Sequence, residues 1–217
     1  MSRAINVDGT LQLVDDLLAR GVKPVFLSSS CVYDGELGYY GEDQPSSPLN
    51  EYGRQKVEVE RALVKNASDA LVLRLDKVVG DDPAERQLFT EWYRWVQIGR
   101  AITCLEGQVL SPTFVGDVAR AIVLSCELGL TGVYHLANPE FLARDELARQ
   151  FLAALGTNGC VESRPQTSFG FTDPRPLKSC LDSSRFVRAT GMRFTPMREV
   201  FAAFRRKLGA VSEASLC

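Results

Sequence analysis

The chain has 217 residues, of which 45% are hydrophobic and 24% charged, and its formal net charge is −2. That length and balance supply one sizeable apolar core, which argues against disorder as the ground state. The densest basic cluster is Arg205-Arg206-Lys207 near the C-terminus, too small for a nucleic-acid surface, where Lys and Arg gather along one face. No run approaches the roughly 18 apolar residues of a membrane span, and residues 1–13 lack the basic flank and apolar centre of an export signal. A cytoplasmic protein without membrane partners is expected.

The six cysteines are scattered with no C-x-x-C pair, and His135 is the one histidine. Neither a zinc site nor a disulfide framework is expected from such a set, and reduced thiols fit a reducing compartment.

In chain order, Val7, Leu11, Val14 and Leu18 recur at helical spacing and Gly21 follows as a stop, which predicts a helix over 6–20. Residues 24–30 (P-V-F-L-S-S-S) form a short apolar run of the kind buried on both faces of a parallel sheet. Ser47-Pro48 supplies a cap and first turn for a helix to about Lys65, and 70–75 (A-L-V-L-R-L) reads as a second buried strand. Beyond it come a helix over 87–98, a strand over 101–105, a helix over 116–128 and a strand over 131–137. Helices over 143–155, 183–190 and 196–208 follow, with 156–176 read as loop. Strands alternating with helices imply right-handed crossovers and a parallel α/β sheet.

Tyr52 and Lys56 are one helical turn apart and share a face. Upstream, the strand ends in Ser28-Ser29-Ser30, which sets hydroxyls at the carboxyl end of a parallel strand, where ligand sites of α/β folds form. Several other residues have plainer readings. Trp92, Tyr93 and Trp95 fit a helix core, Asp117 a helix start, and His135 a buried strand position.

The ordered segments N-V-x-G-T (Asn6 to Thr10), S-S-S-C-V-Y-D-G (Ser28 to Gly35), Y-G-R-Q-K (Tyr52 to Lys56), L-R-L-D-K-V-V-G (Leu73 to Gly80), P-T-F-V-G-D-V-A (Pro112 to Ala119) and R-P-L-K-S-C-L-D (Arg175 to Asp182) resemble extended short-chain dehydrogenases/reductases. The nearest branch is the dTDP-4-dehydrorhamnose reductase-like one. This resemblance implies an α/β fold with the second half of a Rossmann-type parallel sheet in residues 1–110. Residues 111–217 would then be a mainly substrate-binding α/β region interleaved with that sheet. It implies that Tyr52 exchanges the proton at the substrate carbonyl, its pKa lowered by the Lys56 ammonium, and that Ser29 stabilises the oxygen. NAD or NADP would be the cofactor, with Tyr52, Lys56 and the wall near Val78 at the nicotinamide ribose and Asn6 supporting Lys56. A nucleotide-linked keto sugar would meet Ser29, Ser30, Lys77 and Arg175, the last near the diphosphate. Family members usually carry an acidic residue where Ser30 stands and an aromatic one where Lys77 stands, so a deoxyhexose is put in question while the Ser, Tyr and Lys chemistry stays.

Relatives in this class begin with a strand, a G-x-x-G-x-x-G turn and a helix that receives the pyrophosphate. Nothing like it precedes Asn6. Gly35, Gly38 and Gly41 have the letter spacing but follow the catalytic strand, and they read as loop flexibility near the substrate. Cofactor binding by the chain alone is therefore expected to be weak, and strand 24–30 is expected to need cover from a second copy or a complementing N-terminal half. Three roles follow: a sugar-nucleotide reductase, an epimerase or dehydratase of the same class, or a non-catalytic subunit like the beta subunit of methionine adenosyltransferase.

Overall fold

A computed structural model describes residues 2–67 and 69–214. A π-helical lead-in, Ala4–Gly9, runs into α1 (Thr10–Ala19), followed by β1 (Val25–Ser29), α2 (Glu51–Asn66), β2 (Leu71–Leu75), β3 (Val78–Val79), α3 (Leu88–Gln97) and β4 (Ile102–Leu105). Then come β5 (Val109–Leu110), β6 (Thr113–Phe114), α4 (Val115–Glu127), β7 (Gly132–Leu136), β8 (Leu142–Ala143), α5 (Arg144–Leu155), β9 (Val161–Arg164), α6 (Ser184–Thr190) and α7 (Met197–Ala214).

The central sheet is parallel with order β1-β2-β7, in register Val25 with Leu71 and Leu71 with Gly132. Successive side chains of β2 leave on opposite faces. Val72 therefore packs with Val7, Val14, Val59 and Leu63 of the α1 and α2 layer. Leu71 and Leu73 pack with Val118, Ala121 and Phe186 of the α4 and α6 layer. A second core holds Phe89, Trp92, Phe151, Phe201 and Phe204, gathered by α3, α5 and α7 around the parallel pair β4–β9. Residues on both sides of position 110 build it. Burying each such ring is worth about 1.5–3 kcal/mol, with edge-to-face and offset contacts adding to that.

Three expectations change. Strand β1 is not buried on both faces: Leu27 is 38% exposed, because β2 is its one partner in the sheet. Helix α2 starts later than Ser47-Pro48. Asn50 caps it by accepting from the Gly53 amide at 2.8 Å, while the Ser47 hydroxyl donates to Asp34 at 2.6 Å. The 156–176 stretch contains β9, whose V-E-S-R sequence has no strand period of its own and is extended because β4 offers a ladder.

The α2 layer is locked to the sheet by a buried ion pair. Arg74 on β2 donates to Glu60 on α2 at 2.6 Å and, through Nη1, to the Tyr33 hydroxyl at 2.6 Å. The Tyr33 hydroxyl also meets His135 Nε2 at 3.0 Å. His135 is fully buried, and burial drives its pKa down to about 3, so it stays neutral. It is a core residue, as its strand position implied.

Candidate active site

Ser29 ends β1, and its Oγ accepts from the Cys31 amide at 3.2 Å as the chain turns. Directly over this turn sits the start of α2. A methyl group at Gly53 would come within 2.0 Å of the Cys31 carbonyl oxygen, so glycine is what lets α2 approach so closely. That approach brings Tyr52 beside Ser29 and Cys31. Tyr52 is 44% exposed, and its pKa is raised by burial and by Cys31, with the Ser29 hydroxyl pulling it back down. The phenol is therefore protonated at neutral pH.

Here the implied role of Lys56 needs correcting. Its ammonium does not depress the Tyr52 pKa. It lies 5.6 Å from the Tyr52 ring centroid and 4.5 Å from that of Phe26, and it donates to the Leu27 carbonyl at 2.8 Å. In β1 the Pro24 carbonyl bonds β2 through the Leu71 amide. By the alternation of a parallel ladder, Leu27 then faces the open edge. Lys56 thus caps an edge carbonyl, a common use of lysine at strand edges. Burial lowers its pKa. Asn6 does not touch Lys56, and its Nδ2 donates instead to Gln55 at 2.9 Å. Val78 pairs with Thr113 and packs into the α4 core.

A cleft of about 410 Å³ opens at the carboxyl ends of β1 and β2 and takes in Ser29, Ser30, Lys77 and Arg175. Tyr52, Lys56, Val78 and Asn6 lie outside its lining. The lining also includes Trp95, which the sequence placed in a helix core, and residues that sequence reasoning gave no role: Cys31, Asp76, Arg144, Phe169 and Phe171. Phe169 and Phe171 stack at 5.3 Å, and the Arg175 guanidinium lies 5.1 Å from the Phe171 centroid. Both rings fall in the stretch read as loop, and nothing in their spacing signalled a wall. Trp95 separates from its neighbour, since Trp92 is fully buried while Trp95 reaches the cleft.

Asp76 forms part of the cleft floor. Its carboxylate accepts from the Ser30 hydroxyl at 2.8 Å and the Ser111 amide at 2.5 Å. Burial outweighs these bonds and raises its pKa to about 6. Asp76 was visible only as a letter inside L-R-L-D-K-V-V-G. Lys77 follows it, with its pKa lowered first by burial and then by the Arg144 charge.

The three spaced glycines are no phosphate cradle. A methyl at Gly35, where φ is +76°, would sit 2.5 Å from Pro176 Cβ, and one at Gly38 3.1 Å from Lys178 Cβ. Gly35 and Gly38 are packing positions for the 174–182 segment rather than parts of a flexible loop, while a methyl at Gly41 would meet nothing within 4 Å. Asp117, 1% exposed, accepts from the Thr195 amide at 2.6 Å and its hydroxyl at 2.8 Å, a structural role consistent with its helix-start reading. Among the described residues there is no metal-ligand cluster, and the cysteines Cys31, Cys104, Cys126, Cys160 and Cys180 are unpaired. Nor is any described helix long and apolar enough to cross a membrane.

A serine and a tyrosine meet at the carboxyl end of a parallel sheet, with a lysine one turn on, in a fold of the short-chain dehydrogenase/reductase class. More narrowly, the chain belongs to the RmlD substrate binding domain family, which matches residues 1–209. It is 31% identical over 198 residues to a probable dTDP-4,6-dihydroxy-2-methyloxan-3-one 4-ketoreductase of Streptomyces antibioticus, covering 87% of this chain and 65% of that protein. It is 30% identical over 203 residues to methionine adenosyltransferase 2 subunit beta of Xenopus tropicalis, covering 89% of this chain and 60% of the relative. A dTDP-4-dehydrorhamnose reductase of Bacillus anthracis in complex with NADP has the same fold, with a TM-score of 0.76 at 23% identity over 85% of this chain and 65% of that one. The chain thus spans less than two thirds of the length of these relatives.

Proposed function

We propose that this protein serves the reduction of a carbonyl on a nucleotide-linked sugar, with a nicotinamide cofactor as hydride source. The observation that carries the reading is the meeting of a protonated Tyr52 with Ser29 beside the cleft. In the reductive direction the Tyr52 hydroxyl donates its proton to the carbonyl oxygen, and the Ser29 hydroxyl donates a hydrogen bond to the same oxygen as charge develops there. The nicotinamide supplies the hydride. Tyr52 and Lys56, on one face of α2, fit the ribose end of such a cofactor. The Leu27 carbonyl takes one of the three Lys56 ammonium donors, which leaves two for ribose hydroxyls. The NADP of the Bacillus anthracis reductase supports the cofactor class, and the Streptomyces ketoreductase supports the substrate class.

Residues 1–110 are assigned to the catalytic part and 111–217 mainly to the substrate-binding part. In the cleft, Arg175 on its aromatic support takes the diphosphate, and Ser30 and Lys77 face the sugar. A partner is assigned along the α1 and α2 face and the β1 edge, either a second copy or a segment bearing the glycine-rich turn. The decisive measurement is turnover of the Tyr52→Phe variant in an active assembly. A loss of tenfold or more in kcat is expected, at least about 1.4 kcal/mol of transition-state stabilisation. A variant retaining more than a tenth of kcat removes Tyr52 from the role of acid. A second reading, a binding subunit with no turnover, is favoured by the position of Lys56 and by the likeness to the methionine adenosyltransferase subunit.

A further inference from the structure

Two cations line the cleft, and neither forms a salt bridge among the described residues. Arg144, at the start of α5, gives one Nη1 bond to Gln108 Oε1 at 3.0 Å, while its Nε is buried without a partner. Lys77, at the end of β2, makes no side-chain hydrogen bond or ion pair among the described residues. Burial and the Arg144 charge both lower the Lys77 pKa, and burial lowers that of Arg144, so two cations lining one cleft are held partly out of water, an arrangement that costs free energy until an anion arrives. The carboxylates that act on them are engaged elsewhere. Asp76 accepts from Ser30 and Ser111, and Glu91 pairs with Arg86 at 3.6 Å. Arg175, the cation assigned to the diphosphate, belongs to the aromatic wall with Phe171 rather than to this pair.

We propose that Lys77 and Arg144 form a carboxylate-binding pair, so that the sugar nucleotide taken by this cleft is an acidic one bearing a carboxylate on its pyranose ring. The proposal rests on the sugar-nucleotide reading above and names the substrate class within it. A planar guanidinium whose Nη groups make one bond to the protein suits a carboxylate, and an ammonium lining the same cleft adds a second charge-assisted bond.

Titration calorimetry on the full chain with UDP-glucuronate and with UDP-glucose tests this, because the two share base and diphosphate and differ in the carboxylate. The uronate is expected to bind at least tenfold tighter, and Lys77→Met to bring the ratio of the two affinities to within about threefold of one. Arg144→Lys, which keeps the charge and loses the fork, should shrink the ratio while preserving the fold. Equal affinities in the wild-type chain overturn the proposal. So does a Lys77→Met loss shared equally by both ligands, which would place Lys77 on the diphosphate. Binding of neither nucleotide at millimolar concentration would overturn the sugar-nucleotide reading itself.

Discussion

Tyr52 and Lys56 show how a motif can set two side chains on one helix face without fixing how their charges interact. The spacing determines the shared face, but the open edge of β1 draws the ammonium to the Leu27 carbonyl, and the tyrosine responds to burial instead. Asp76 carries the residue-scale prediction. Its folded pKa of about 6 lies above the ordinary carboxylate value of 3.8. Its contribution to stability is therefore fully present below that ordinary value and is lost as pH rises through about 6. The span amounts to roughly 2–3 kcal/mol. Asp34 works in the opposite direction, its pKa lowered by bonds from Ser47 and Tyr40, so its contribution is lost as pH falls. Comparing urea midpoints of wild type and Asp76→Asn at acid and neutral pH isolates Asp76. The wild type should lose stability relative to the variant on going to neutral pH, and parallel profiles would refute the assignment.

At the scale of elements, the contact between α2 and the turn after β1 decides whether the site exists. Alanine in a helix is ordinarily favoured over glycine by about 1 kcal/mol. At Gly53 the added methyl would meet the Cys31 carbonyl oxygen at 2.0 Å, and this is backbone that cannot swing aside. Overpacking of this kind costs about 1–3 kcal/mol and grows steeply with overlap, so the clash wins over propensity. Gly53→Ala should lower Tm by about 4 °C or more in calorimetry, and a raised Tm would mean that the turn yields. The same helix carries Glu60. Glu60→Gln leaves the buried Arg74 charge without its partner, and about 3 kcal/mol of stability should be lost in denaturant unfolding. A cost below about 1 kcal/mol would show that water reaches Arg74.

For the whole molecule, cofactor affinity and association follow from what the described residues offer. The ribose contacts proposed for them are Tyr52 and Lys56, while Gly35 and Gly38 are packed against the 174–182 segment. A few hydrogen bonds worth about 0.5–1.5 kcal/mol each barely offset the cost of immobilising a dinucleotide. The 217-residue chain should therefore bind NAD and NADP no tighter than about millimolar, near −4 kcal/mol. Micromolar binding in calorimetry would mean that a second copy or an unrecognised cradle supplies the rest. Leu27 at 38%, Leu13 at 57% and Ile5 at 65% exposure lie on β1, on α1 and just before it, the surfaces assigned to a partner. Sedimentation is expected to show a dimer or larger species at micromolar concentration, and a monodisperse monomer would count against that surface.

The sequence by itself determined the order of the main helices and strands, because apolar spacing, caps and stops are local signals. It also placed Ser29 at a strand end and set Tyr52 with Lys56 on one face, and the ordered motifs carried the family. Only the tertiary structure decided which residues became walls. β9 exists because β4 pairs with it, and Phe169 and Phe171 line the cleft because the loop after β9 returns to it. Arg144 and Lys77, distant in sequence, line one cleft only because the start of α5 and the end of β2 meet at the same opening. Long-range pairing of this kind leaves no periodic trace in the chain, since it depends on where whole elements dock and not on the residues beside each side chain.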